Sequence, residues 1–193
     1  MKPERMNAFS DGVLAILITI LVLELRPPEG HHLSDILDEK GKLLAYLLSF
    51  VMIGIYWNNH HHLMQIVRTI DGRTLWANMH LLFWLSLTPL TTAWLGEAGA
   101  ETGPVAAYAI VLLGCAIAYS LLTISLLALH ESGSQLAQAI GRDRKGKVSL
   151  AFYVAALALS FVQPWVAITL IVAVAVIWFV PDRRVERVVT DAP

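Results

Sequence analysis

The sequence predicts an all-α polytopic membrane protein with six spans per chain, and three observations lead there. The 193 residues are 56% hydrophobic and 15% charged, with a mean hydropathy of +0.62. Soluble domains sit near about 45–50% apolar and about 25% charged. The apolar residues come in blocks, most of them close to the ~20 residues a helix needs to cross a bilayer. The basic residues of the intervening loops fall on alternate sides of those blocks.

The first block covers residues 7–25 and ends at "RPPEG", where two prolines stop a helix. It is longer than the ~7–15-residue core of a signal peptide, and no small-residue cleavage site follows, so it reads as a retained span. The second block covers residues 43–67 and the third residues 74–95. The fourth, "GPVAAYAIVLLGCAIAYSLLTISLLALH", carries Pro104 in its first turn, a favoured position. Beyond it, Gln163 and Pro164 divide a long apolar stretch. Its total length is roughly twice a bilayer crossing, so it predicts a helical hairpin, the fifth and sixth spans.

Loop charges give an expected orientation. Lys2, Arg5, Arg68, Arg73, Arg142, Arg144, Lys145, Lys147, Arg183, Arg184 and Arg187 fall on one side, against Arg26, Lys40 and Lys42 on the other. The positive-inside rule then puts both termini in the cytoplasm. The bias alternates only if there are six spans, which supports the hairpin independently. One membrane domain is expected over residues 1–181 and a short cytoplasmic tail over 182–193. A net charge of −1 points away from nucleic acid as a partner, and one cysteine, Cys115, allows no internal disulfide.

Ionisable groups inside spans are costly and tend to be functional. Asp11 is the carboxylate near the start of the first span. Ser10 or Asp11 caps that helix if it begins there. If it begins near residues 3–5, Asp11 faces the bundle and needs a partner. His60, His61 and His62 are consecutive, so on a helix they fan out by ~100° steps and cannot form one metal site together. One of them, with Trp57 and Asn58 or Asn59, is placed to reach Asp11; Asn78 and His80 are polar candidates on the third span. Within the first span, Ile16, Ile20 and Leu23 form a stripe, with Thr19 on the same side and Gly12 extending it. Such a stripe serves equally as helix-packing surface, with the threonine bonded to its own backbone. The spans hold no arginine ladder of a voltage sensor and no "TVGYG" carbonyl filter.

"RMNAFSDGVLAI" resembles the start of the first helix in the transmembrane protein 175 potassium-channel family, in its bacterial six-span form. The pattern stands as Arg5, Phe9, Ser10 and Asp11. "WNNH" resembles the family's second-helix motif at Trp57 and His60, and "NMHLLFWLSLTPLTTAWLG" its third helix, with Asn78 and Pro89. "VQPW" before the final block also fits. The likeness spans most of the chain. The first-helix motif is fairly specific, and the later matches are weaker singly but correctly ordered. One departure is the "HHH" run, which leaves open whether His60 or His61 is the matching histidine.

The resemblance implies a potassium-over-sodium ion channel, not an enzyme, in the bacterial plasma membrane. It implies a homotetramer in which the first helix lines a central pore. Ile16, Thr19, Ile20 and Leu23 would form the pore and its hydrophobic gate, with Thr19 touching the permeant ion. Arg5, Phe9, Ser10, Asp11, Trp57, His60 and Asn78 would hold that helix. The expected partners are further copies of the chain and the lipid bilayer. No cofactor or resident metal is expected, and potassium is the permeant ion. The alternatives are a secondary cation transporter, a membrane protein that uses its histidines for metal or haem, and a structural membrane protein with no transport.

Overall fold

A computed structural model describes residues 1–131, 134–140 and 143–179. Arg142, Arg183, Arg184, Arg187 and the tail expected over 182–193 lie outside the described residues. Regular structure among the described residues is helical throughout. The order is α1 (Glu4–Leu23), a 3-10 helix (Leu33–Glu39), α2 (Lys40–Ile66), α3 (Gly72–Ser86) and α4 (Thr88–Ala98). Then come α5 (Thr102–Leu127), α6 (Gln135–Ile140), α7 (Arg144–Ser160) and α8 (Pro164–Phe179).

Segments Glu4–Leu23, Leu33–Ile66 and Thr102–Leu127 are each long and apolar enough to cross a membrane. α8 is shorter: its 16 residues reach about 24 Å at ~1.5 Å each. The hairpin break falls where the sequence places it, with α7 ending at Ser160 and α8 opening on Pro164.

α1 starts at Glu4, with Pro3 at the preceding position. Ser10 and Asp11 therefore lie well inside the helix, and neither caps it. The chain's first residue is pinned as well. The Met1 amine donates to the Ile70 carbonyl at 2.8 Å, and the Ile70 N–H donates back to Met1 at 2.8 Å. The start of α1 is thus tied to the loop between α2 and α3.

The third apolar block, expected as one helix, is interrupted at Leu87 into α3 and α4. Pro89 is the cause. It has no N–H to give to the carbonyl one turn back, and its ring crowds that carbonyl. Asp71 caps the start of α3, accepting from the Thr74 N–H at 2.8 Å and the Thr74 hydroxyl at 2.9 Å. The Thr74 backbone N–H, followed by the Thr74 hydroxyl, holds the Asp71 carboxyl below its ordinary range.

α5 is the buried centre of the bundle and packs against α3, α4, α7 and α8. Lipid removes most of the hydrophobic drive between helices, so close approach through small residues carries the packing. Gly114 of α5 lies flat against the Trp84 ring of α3, leaving no room for a Cβ. Gly96 of α4 meets α2 in the same way, since a Cβ there would stand 2.9 Å from the Lys42 Cα.

Candidate functional site

α1 has two faces. Met6, Ser10, Leu14, Leu17 and Leu21 recur at three- and four-residue steps and are buried. On the other side Arg5, Phe9, Gly12, Ile16, Thr19 and Leu23 are exposed, at steps of four, three, four, three and four. Ile16 is 58% and Leu23 77% exposed, and a Cβ on Gly12 would meet nothing within 4 Å. A 3.5-residue repeat is the seam along which helices of separate chains wind together. Ile20 stands at the edge of this stripe and is half-buried, because four residues advance a helix about 40° beyond a full turn. The Thr19 hydroxyl donates to the Ile16 carbonyl at 2.7 Å, so its oxygen lone pairs stay available on the exposed side.

The buried face of α1 carries the polar ties. Ser10, fully buried, donates its proton to the Met6 carbonyl at 2.9 Å. Toward Asn78 it can therefore only accept, which it does from the Asn78 Nδ2 at 2.9 Å. That turns the Asn78 Oδ1 to the His60 Nε2, 2.8 Å away. His60 must carry its proton on Nε2, and its Nδ1 is a buried lone pair with no partner among the described residues. The result is one directed chain, His60 to Asn78 to Ser10 to the α1 backbone, joining α2, α3 and α1. One turn along, the Trp57 Nε1–H donates to the Asp11 carboxylate at 3.0 Å.

The "HHH" question resolves here. His60 is buried and joins Asn78, whereas His61 stacks on Trp57 at 5.6 Å and pairs with Gln65 at 2.9 Å. His80 accepts from the Trp84 Nε1 at 2.9 Å, and His130 meets the Leu126 carbonyl at 2.7 Å. Among the described residues no three His, Cys, Asp or Glu side chains gather at a metal-sized site. Ser10, Asp11, Trp57, His60 and Asn78 are thus brought together. Arg5 and Phe9 are not. Both are on the exposed stripe, and Arg5 pairs with no acid among the described residues.

A second polar cluster was missed from the sequence. Thr92 of α4 donates to the Thr88 carbonyl at 2.7 Å, so it accepts from Ser49 of α2 at 2.6 Å. Ser49 in turn accepts from the Tyr108 hydroxyl of α5 at 2.8 Å. Neutral hydroxyls within apolar blocks carry no motif. The usable signal was the run "TPLTT" beside Pro89, where a bent helix frees carbonyls.

An all-helical bundle with three helices long and apolar enough to cross a bilayer, the first of them keeping an exposed stripe opposite a face held by polar side chains, belongs to the class of polytopic helical membrane proteins. The sequence pattern of the family described as "Endosomal/lysosomal potassium channel TMEM175" matches residues 5–89. A protein from Chryseobacterium sp. named a potassium channel is 48% identical over 187 residues, covering 97% of each chain. The crystal structure of a lysosomal potassium-selective channel TMEM175 homolog from Chamaesiphon minutus superposes with a TM-score of 0.75. It shares 28% identity, over 91% of this chain and 95% of that one. The mouse endosomal/lysosomal proton channel TMEM175 is 30% identical over 92 residues, 45% of this chain and 18% of its own length. The chain belongs to the TMEM175 channel family, and its named relatives are ion channels, not enzymes.

Proposed function

We propose that the protein is a potassium-selective channel of the bacterial plasma membrane, a homotetramer with cytoplasmic termini and four α1 helices lining its pore. The observation that carries this reading is the exposed stripe of α1, with Ile16, Thr19 and Leu23 opposite a packed face. Arranged about an axis, Ile16 and Leu23 form two apolar rings. Such rings empty a narrow pore of water, and an ion then meets a desolvation barrier without any charged plug. Ile20, at the edge, packs between neighbouring α1 helices.

The Thr19 layer lies between the rings. With its proton committed to the Ile16 carbonyl, each hydroxyl presents lone pairs to the axis. Those oxygens replace part of a cation's hydration shell. Potassium releases water more readily than sodium, so partial dehydration favours it. The ties at Ser10 and Asp11 fix the rotation of α1, and opening is a tilt or rotation that widens the rings. Arg5 and Phe9, on the exposed stripe, meet the adjacent copy. The positive loops around Arg68 and Arg73 support the cytoplasmic placement of this end.

Reconstitution into liposomes and planar bilayers tests the proposal. Potassium and sodium gradients should give a reversal potential near that of potassium, with unitary currents that a secondary transporter does not produce. Ile16→Asn or Leu23→Asn should raise basal potassium flux. No change with either substitution counts against the gate. The mouse relative's name favours a second reading, proton conduction, which a pH-sensitive dye in the same liposomes measures directly.

A further inference from the structure

Away from α1, a cavity of about 50 Å³ opens between α2, α5, α7 and α8. Its wall includes Tyr56, Asn59, Tyr119, Ser120, Asp143, Tyr153 and Trp178. Tyr153 is 1% and Tyr56 9% exposed, yet among the described residues neither hydroxyl has a hydrogen-bond partner. Tyrosines this enclosed rarely lack a partner, and the cavity leaves room for water or an ion to supply one.

Other wall groups already donate to backbone carbonyls and keep spare acceptors. Tyr119 donates to the Asn59 carbonyl at 3.2 Å, Asn59 Nδ2 to the Ile55 carbonyl at 2.7 Å, and Ser120 to the Ala116 carbonyl at 2.8 Å. Each keeps oxygen lone pairs. Asp143 uses Oδ1 to cap α7 through the Gly146 N–H at 3.0 Å, and its backbone is in the left-handed region at φ 37°. That conformation costs free energy in a non-glycine residue and sets a carboxylate in the cavity wall. In a wall that is otherwise mostly apolar, the Asp143 carboxylate, the phenol oxygens and the aromatic faces are the groups that attract a cation. The Lys145 ammonium, 5.7 Å above the Trp178 ring, already uses this chemistry at one wall.

We propose that this cavity binds one compact monovalent cation of potassium or ammonium size, held by Asp143 with the oxygens of Tyr56 and Tyr153 and accompanying water. Its volume suits this, because a water needs roughly 10–15 Å³. The cation takes the oxygen lone pairs, and the phenol protons are donated to the accompanying waters. This site is separate from the α1 stripe and does not depend on the pore proposal.

Thermal unfolding of the purified full chain in micelles tests it, at constant ionic strength with potassium, ammonium, sodium or N-methyl-D-glucamine chloride. The Thr19→Ala background removes any stabilisation arising at the pore. In that background potassium, ammonium or both should raise the midpoint by about 2–4 °C over N-methyl-D-glucamine, saturably. Response to potassium alone assigns an oxygen-dominated site, to ammonium alone an aromatic one. Asp143→Asn keeps the helix cap and should abolish the rise. Tyr153→Phe should halve it or more, and decides the matter if Asp143→Asn does not fold. An equal rise in wild type and both variants overturns the proposal. So does a flat response in the Thr19→Ala background, which would leave water alone in the cavity.

Discussion

The two hydroxyl-terminated chains of the bundle obey the same rule and do opposite things. One runs His60, Asn78, Ser10 and the Met6 carbonyl; the other runs Tyr108, Ser49, Thr92 and the Thr88 carbonyl. In each, a helix carbonyl takes the last proton, which fixes the direction of every bond before it. The first chain includes α1 and sits at the end where the chain begins. The second joins α2, α4 and α5 and leaves α1 out. Beyond Asp11, α1 meets the rest of the chain through apolar side chains: Leu14, Leu17 and Leu21, with Val13 and Ile18 beside them. Apolar contacts in lipid are weakly directional. α1 is therefore tied by directed polar bonds at one end and by apolar contacts at the other, where Ile16, Thr19 and Leu23 lie.

That contrast predicts a split between function and stability. Asn78→Leu should have the largest effect, because it strands His60 and leaves Ser10 without its cross-helix donor. Each orphaned buried group costs about 1–3 kcal/mol. Gel filtration should show lost assembly, or flux assays a deregulated current. Gly114→Leu should come next, since it drives a side chain into the Trp84 ring between the helices that carry the two chains. Overpacking costs about 1–3 kcal/mol, read as a lower unfolding midpoint.

Ser49→Ala removes two interhelical bonds, at about 0.6 kcal/mol each, and should cost less. Its basal potassium flux per folded channel should match wild type. If Ser49→Ala deregulated flux as Asn78→Leu does, the asymmetry would be broken. The smallest effect belongs to Asp71, which caps the helix bearing Asn78. Its carboxyl is held below the ordinary 3.8 by the Thr74 N–H, so it favours the folded state while charged. That contribution is full above the ordinary value and is lost as pH falls through the folded-state value. The difference in unfolding midpoint between wild type and Asp71→Asn should stay constant near neutral pH and shrink in acid.

Much of this was legible in the residues. Apolar blocks of bilayer length, the prolines at Pro27, Pro28 and Pro164, and the 3.6-residue period sufficed for three long apolar helices, for the break before the last helix and for the side of α1 that Ile16 and Leu23 share. Ser10, Asp11, Trp57 and Asn78 stood out as polar groups in apolar blocks, and the family likeness joined them with His60 into one network. It drew in Arg5 and Phe9 equally, although these stand on the opposite face. Periodicity placed Ile20 in the stripe, but its half-buried position depends on where neighbouring helices cross α1.

The sequence alone determined which segments are helical and apolar, because these are local properties of backbone sterics and side-chain transfer between water and lipid. It did not determine that His60 rather than His61 meets Asn78, that Pro89 splits the third span at Leu87, or that Ser49, Thr92 and Tyr108 converge. Those outcomes depend on the rotation and crossing of separate helices. Hydrogen bonds act over about 3 Å, a distance that spacing along one helix cannot resolve between helices far apart in the chain. Only the packed bundle decides which hydroxyl finds which carbonyl.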